Sequence, residues 1–416
     1  MSATTNRGAG LRAVFTHPGY RRLWTARTAS QAGDVFNTIA LSLLVLQLTG
    51  SGLGVSAVVV AEILPVLALA PLAGTLADRF PRVRLMIVAD LLRAGLAGAL
   101  PFVAGNAVAV YAVAFGMSVG AVVFNPAANA TLPALVDDQE LVAANSGIWT
   151  AAVLSQIALA PLAGLLVLTA GPGPAFGINS ATFLLSAAIL TRLRLPPPDT
   201  GPAPTTTVAG RRGSFAEAAV GARVITGDRA LRALAAGQLL AALSAGATSA
   251  LLVVLAAQHL RTGAGGYGLL LGAIGVGAAA GPLLLTRLIS DPRRPAFVFG
   301  PYLLRGLIDL VLATVTALPV ALVALAGYGL GTSTGAVTFN SLLQSRTPTA
   351  ARGRVFAAFD LLWQLGRLGS LVLGGLAADT LGIQAVYYLG AALLLLAAAI
   401  GWHGLRARRT GARTHR

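Results

Sequence analysis

Stretches of apolar residues long enough to cross a lipid bilayer follow one another through almost the whole chain. A helix rises 1.5 Å per residue, so about 20 apolar residues cross roughly 30 Å of hydrocarbon. Stretches of that length fall at about residues 22–48, 53–77, 84–104, 107–131, 142–170, 173–193, 230–258, 265–288, 296–316, 318–344, 354–379 and 382–404, twelve in all. No soluble core can use that much apolar surface in 416 residues that are 56% hydrophobic and 11% charged. The chain is expected to be an all-α, multi-pass membrane protein.

Most connections are a few residues with Gly, Pro or Asn. The exception is residues 194–229, which hold Pro196-Pro197-Pro198, Pro202, Pro204 and Thr205–Thr207. It is read as a semi-extended linker, followed by an amphipathic helix around Ser214–Ile225. The plan is therefore an N-terminal tail (1–21), a six-helix bundle (22–193), a linker (194–229), a second six-helix bundle (230–404) and a basic tail (405–416).

The formal net charge of +16 would fit a nucleic-acid binder, but the positions of the charges point elsewhere. All 30 basic residues are arginine, and 25 fall in the N-terminal tail, the 2–3 loop, the central linker, loops 8–9 and 10–11 and the C-terminal tail. The opposite side has only Arg261. Basic residues stay on the cytoplasmic side, so both termini are expected there, in the cytoplasmic membrane. The charge holds loops and does not bind nucleic acid. With no cysteine, the chain can form no disulfide and no zinc–thiolate site. Residues 1–20 show no apolar h-region, so the first span is expected to direct insertion.

An internal repeat supports two related halves. Gly120-Ala-Val-Val-Phe-Asn125 recurs 215 residues later as Gly335-Ala-Val-Thr-Phe-Asn340, and Pro133 and Pro348 share the offset. Duplicated halves suit a carrier that rocks around a site.

Residues 71–93 join two spans through a basic hinge. An apolar helix runs into Gly74, then come Asp78, Arg79, Arg82 and Arg84, with Pro81 where a helix stops. Gly74 offers a neighbouring helix a close approach. Asp78 can accept from orphan N–H groups or pair with an arginine. The simpler reading is an ordinary anchoring loop. Gly74-Thr-Leu-Ala-Asp78-Arg79-Phe-Pro-Arg82-Val-Arg84 resembles the signature loop between helices 2 and 3 of the major facilitator superfamily, with Pro81 in place of the usual glycine. Other stretches resemble its drug- and siderophore-exporter branch, which includes macrolide-efflux and enterobactin-export proteins. They are Gly33-Asp34, Asp90 with Arg93, Phe124-Asn125-Pro126-Ala127, Leu132-Pro133 with Leu135-Val136, and Ala144-Asn145. Asn179 with Phe183, Gln344 with Pro348, and Arg352-Gly353-Arg354-Val355-Phe356 continue the likeness. The resemblance implies two pseudo-symmetric six-helix bundles, the major facilitator fold. The helix-5 antiporter motif is reduced here to Pro161 and Gly164 within Ala160–Leu165.

Ionisable side chains at membrane depth are costly, which makes each a functional candidate. Asp34 stands about 12 residues into the first span, roughly 18 Å deep, with Gln31 and Asn37 at i−3 and i+3. Glu62 is deep in the second span, before Pro65. Desolvation disfavours the ionised form of a carboxylate, the property that proton coupling requires. Asp34 and Glu62 are thus candidates for binding proton or substrate, against a structural hydrogen bond to a neighbouring helix. Asp90 with Arg93 (i, i+3) and Arg305 with Asp309 (i, i+4) are read as self-neutralising structural pairs. Asp360 and Arg367 are read as latches, with Arg352, Gly353 and Arg354 as the second-half counterpart of the hinge. By resemblance Asn125, Asn129, Asn340 and Gln344 line the substrate cavity, and Trp149, Trp363 and Gln364 add a stacking surface. Each alone is as readily packing. Glycines such as Gly272, Gly275 and Gly277 are read as close-packing positions.

No phosphate-binding Gly-rich loop with Lys-Ser/Thr, HExxH or zinc-ligand cluster appears, and His17, His259, His403 and His415 are scattered. Neither metal nor cofactor is expected, and the chain is not an enzyme. The expectation is a monomeric secondary transporter in the lipid bilayer, driven by the proton gradient and exporting a hydrophobic or amphipathic small molecule (a drug, antibiotic or siderophore-like compound) by alternating access. Proton-coupled uptake and a non-transporting sensor or scaffold are the alternatives. Asp78→Ala is expected to leave folding intact and slow transport sharply; unchanged flux would remove the latch role.

Overall fold

The structure, a computed structural model, describes residues 11–195, 221–288, 295–348 and 351–406. They hold twelve helices long and apolar enough to cross a bilayer, and no strand occurs among the described residues. In order they are α1 (Pro18–Thr49), α2 (Gly52–Arg79), α3 (Arg82–Val103), α4 (Ala107–Thr131), α5 (Leu141–Ala170), α6 (Gly173–Leu190), α7 (Arg229–Ala250), α8 (Gly263–Leu288), α9 (Pro295–Thr314), α10 (Leu318–Arg346), α11 (Arg352–Leu381) and α12 (Ile383–Arg406). The proline-rich part of the linker with Ser214, the stretch Asp291–Arg294 and most arginines of the two tails lie outside the described residues. Residues 221–227 are helical. They press on the start of α11, where a Cβ on Gly221 would fall 2.1 Å from the Arg354 carbonyl.

The contacts divide the chain into two compact units. The first holds α1, α2 from Ala61 onward and α3–α6; the second holds α7–α12 together with the first turns of α2.

In the first unit, side chains tie one end together. His17 Nε2 meets Glu140 Oε2 at 2.8 Å, Tyr20 Oη donates to the Ala144 carbonyl at 2.9 Å, and Trp24 Nε1 donates to the Gly147 carbonyl at 3.1 Å. Phe15 stands edge-on to both Tyr20 and Trp24, with ring centroids 5.2 and 5.1 Å away. Arg22 donates to the Arg192 carbonyl at 2.8 Å and Arg82 to the Ala130 carbonyl at 2.7 Å. Hinge arginine Arg82 therefore joins the start of α3 to the end of α4. Deeper in the unit, Asp90 and Arg93 are 0% and 6% exposed and paired as expected. The guanidinium of Arg93 also lies over the rings of Phe124 and Phe183, at 4.9 and 4.2 Å. One buried cation thus joins α3, α4 and α6.

The hinge differs from expectation. α2 stays helical through Gly74 and Asp78 to Arg79, so only Phe80 and Pro81 break it. A Cβ on Gly74 would meet nothing within 4 Å, so Gly74 does not mark a close helix approach. The side chain of Asp78 lies outside the described residues.

In the second unit, α8 and α10 pack through glycine. A Cβ on Gly277 would sit 1.7 Å from the Ala326 carbonyl oxygen, and one on Gly329 would sit 2.0 Å from that of Ile274. The seventh span was expected to run unbroken to 258, but α7 ends at Ala250. A short helix, Leu252–Val254, and a π-turn, Leu255–His259, complete the segment. The cause lies on other helices. Ser370 Oγ accepts from Ala247 N–H at 2.9 Å and donates to the Leu243 carbonyl, entering the i→i−4 ladder of α7. Tyr387 Oη then takes the Thr248 carbonyl at 2.8 Å. A second departure is that Arg305 and Asp309, though each still acts on the other electrostatically, form no contact ion pair among the described residues.

The second unit also closes the N-terminus of α2. Asp379, at the end of α11, accepts from Gly52 N–H at 2.6 Å, Leu53 N–H at 3.1 Å and Ser51 Oγ at 2.5 Å. Gly375 lets α2 approach, since a Cβ there would lie 2.8 Å from Leu53 Cα. Such a cap satisfies N–H groups that a helix cannot satisfy internally.

Arg93→Met is expected to destabilise the protein by about 3–5 kcal/mol, because Asp90 keeps its charge in a buried site. Thermal unfolding in detergent measures it, and Asp90→Asn in the same chain should recover most of the loss.

Candidate functional site

Two cavities hold the polar side chains, one inside each unit. The first has a volume of about 230 Å3 and lies among α1, α2, α3, α4 and α6. α1 brings Asp34, Asn37 and Thr38, α2 brings Glu62, and α3 brings Arg93; Met117, Ser118 and Phe183 complete much of the wall. Gly33 places α1. A Cβ on it would fall 1.9 Å from Thr182 Oγ1 and 2.6 Å from Asn179 Oδ1, so only glycine lets α1 come this close to α6. Asp34 is the next residue. Ser118 Oγ donates to the Glu62 carbonyl at 2.5 Å, which ties α2 to α4 beside the cavity. Gly120 leaves room for the stem of Arg93, whose Cγ lies 2.7 Å from where a Cβ would be.

The sequence pointed to Asp34, Glu62 and Asn37, and the fold brings all three together. It left Arg93 outside the site as structural. The guanidinium serves both ends: it pairs with Asp90 and also lines the cavity with Asp34 and Glu62. Carboxylates and a guanidinium are thus set against each other in one enclosure. That balance gives the enclosure room for a proton or a cation.

The second cavity, of about 330 Å3, lies among α7, α9, α10 and α11. Its polar groups are Gln238, Arg305, Thr332, Asn340 and Asp360; its aromatic groups are Tyr302, Phe339, Phe356, Phe359 and Trp363. Asn340 and Trp363 were expected in a cavity. Asp360 was read as a latch, yet its turn of α11 faces the cavity. Arg305, Gln238 and Tyr302 were missed, although Arg305 stands 215 residues after Asp90, the offset of the internal repeat.

Other expected cavity residues line neither of these two cavities. Asn125 is exposed, and Asn129 accepts from Arg27 at 2.9 Å. Trp149 is 47% exposed. Gln344 is exposed, while Gln31 and Gln364 are half-buried, and none of the three lines either cavity. Among the hinge residues, Arg79, Gly353 and Arg354 are exposed, and Arg352 donates to the nearby Thr347 carbonyl at 3.4 Å.

Residues 9–414 match the transmembrane secretion effector family. The chain belongs to that family, within the major facilitator superfamily. It is a multi-pass membrane transporter and not an enzyme. The transporter is 30% identical over 376 residues to a protein of Mycobacterium tuberculosis named multidrug efflux pump Tap, covering 87% of each chain. It is 29% identical over 378 residues to the pump of the same name in Mycolicibacterium fortuitum, covering 88% of this chain and 90% of that one. The fold is similar to a bacterial homologue of the iron transporter ferroportin in an inward-facing state, with a TM-score of 0.73, 18% identity and coverage of 93% and 98%.

Gly33→Ala is expected to cost about 1–3 kcal/mol by overpacking against α6. Its melting temperature in detergent should fall, and Thr182→Ala in the same chain should restore part of it; an unchanged melting temperature would mean that α1 can move away from α6.

Proposed function

We propose that this transporter exports a hydrophobic or amphipathic small molecule from the cytoplasm in exchange for protons. The observation that carries the reading is the carboxylate-rich cavity of the first unit. A proton arriving from outside binds Asp34 or Glu62 and neutralises it. Loss of that proton to the cytoplasm restores the charge. Alternating access links these steps to substrate release outside and substrate binding inside. The relatives named as multidrug efflux pumps support the direction and a broad substrate class. Arginine-rich loops support placing both termini in the cytoplasm and the spans in the cytoplasmic membrane. The protein works as a monomer, with the proton gradient as its only driving force and no cofactor.

One observation favours the reverse direction: α5 keeps only Pro161 and Gly164 of the antiporter motif. Proton-coupled uptake is the second reading.

Both readings meet in one experiment. Inside-out vesicles carrying the transporter are acidified inside, and proton efflux is recorded on adding lipophilic drugs and dyes. Export predicts substrate-induced proton release that falls to background in Asp34→Asn. Release that persists in that variant but is lost in Glu62→Gln moves the coupling to α2. Release that survives both variants removes the carboxylate mechanism. If no compound causes release, the export reading fails.

A further inference from the structure

The cavity of the second unit has a chemistry of its own. Arg305 is 6% exposed and sits at membrane depth on α9. The corresponding pair in the first unit is closed, Asp90 against Arg93. In the second unit it is open. Asp309 stands 3.5 Å from Ser244 Oγ and its Oδ1 has no partner. Arg305 turns away from it, giving Nη2 to Tyr328 Oη at 2.8 Å with the guanidinium 4.6 Å over the same ring. Its Nε has no hydrogen-bond partner. A buried guanidinium with an unmet donor and no carboxylate in contact is a costly arrangement. Arg305 also lines the cavity, so a ligand oxygen there would give the guanidinium a charged partner in contact, although Nε itself is enclosed.

The walls around it select a shape. Gly331 and Gly335 stand one turn apart on α10, and a Cβ on either would lie 3.1 Å from Arg305 Cγ or Pro301 Cβ respectively. Their lack of side chains leaves a smooth strip beside the guanidinium. Phe356, Phe359 and Trp363 supply aromatic surface from α11. Glycine on one helix and rings on another make a slot suited to a flat molecule. Asp360, exposed, places the opposite charge on the same cavity.

We propose that this slot is a substrate subsite for planar aromatic compounds that carry an acidic oxygen, such as a carboxylate or phenolate. The oxygen meets the Arg305 guanidinium where it lines the cavity, and the ring system lies between the glycines of α10 and the aromatic side chains of α11. The proposal names a substrate class for the transporter and rests on the export reading for its physiological meaning. Binding itself needs no gradient, so the two can fail separately.

The test uses the full chain in nanodiscs, with tryptophan fluorescence as the signal and empty nanodiscs as the blank. Three probes share one ring system: 2-naphthoate, 2-naphthalenemethanol and 2-naphthylmethylamine. Charge-assisted hydrogen bonds to a buried arginine predict that the acid binds about 10- to 100-fold more tightly than the alcohol. Arg305→Met should abolish that preference, and Gly335→Leu should weaken acid and alcohol together by filling the slot. Equal affinities for acid and alcohol in the native protein overturn the proposal without any variant, and so does a preference for the amine, which would give the site to Asp360. An acid preference that survives Arg305→Met also overturns it.

Discussion

Hydrocarbon offers no hydrogen-bond partner, so a charge placed at membrane depth must find its answer inside the protein. Arg93 is where the first unit depends on this most. Its guanidinium holds Asp90, covers two aromatic rings and lines the cavity with Asp34 and Glu62. The glycine at 120 exists to give its stem room, and α3, α4 and α6 take their spacing from it. Without that cation, Asp90 would lose its ion-pair partner and Asp34 a compensating charge.

The second unit uses the same type of residue differently. The repeat places Arg305 where the first unit has Asp90, so duplication conserved the depth of the charge but not its sign. Arg305 is answered by a tyrosine hydroxyl and ring, and its acidic neighbour one turn away is left to a serine. One half therefore gathers carboxylates and the other gathers aromatic surface around an arginine. In the proposed function the division separates handling of a small ion from recognition of an organic molecule.

Much of the fold was legible because length and composition act locally. Twelve spans, the loops between them and the packing role of Gly277 follow from runs of residues that need only their neighbours to be interpreted. The cavities were less legible. Helices apolar on every side give no amphipathic face, so the sequence does not say which way a polar residue turns, and one residue of rotation moves a side chain by about 100°. Asp34 and Asn37 were found because they share a stripe with no other use. Asn129, equally polar, is spent on Arg27, and Gln344 is exposed. The break after α7 was invisible for a related reason: Ser370 and Tyr387, which open it, are more than a hundred residues away.

Asp379 sets a condition on how the molecule is put together. The N–H groups that it caps belong to α2, 327 positions earlier in the chain. During synthesis α2 enters the membrane long before α11 exists; Ser51 Oγ can take the Gly54 N–H, but those of Gly52 and Leu53 then have only water and lipid headgroups to bond. The second unit supplies the missing acceptor. The N-terminal half is thus not a self-sufficient piece that later helices merely join: its second helix is finished by nearly the last part of the chain to arrive, and a truncated chain would leave that helix open at its end.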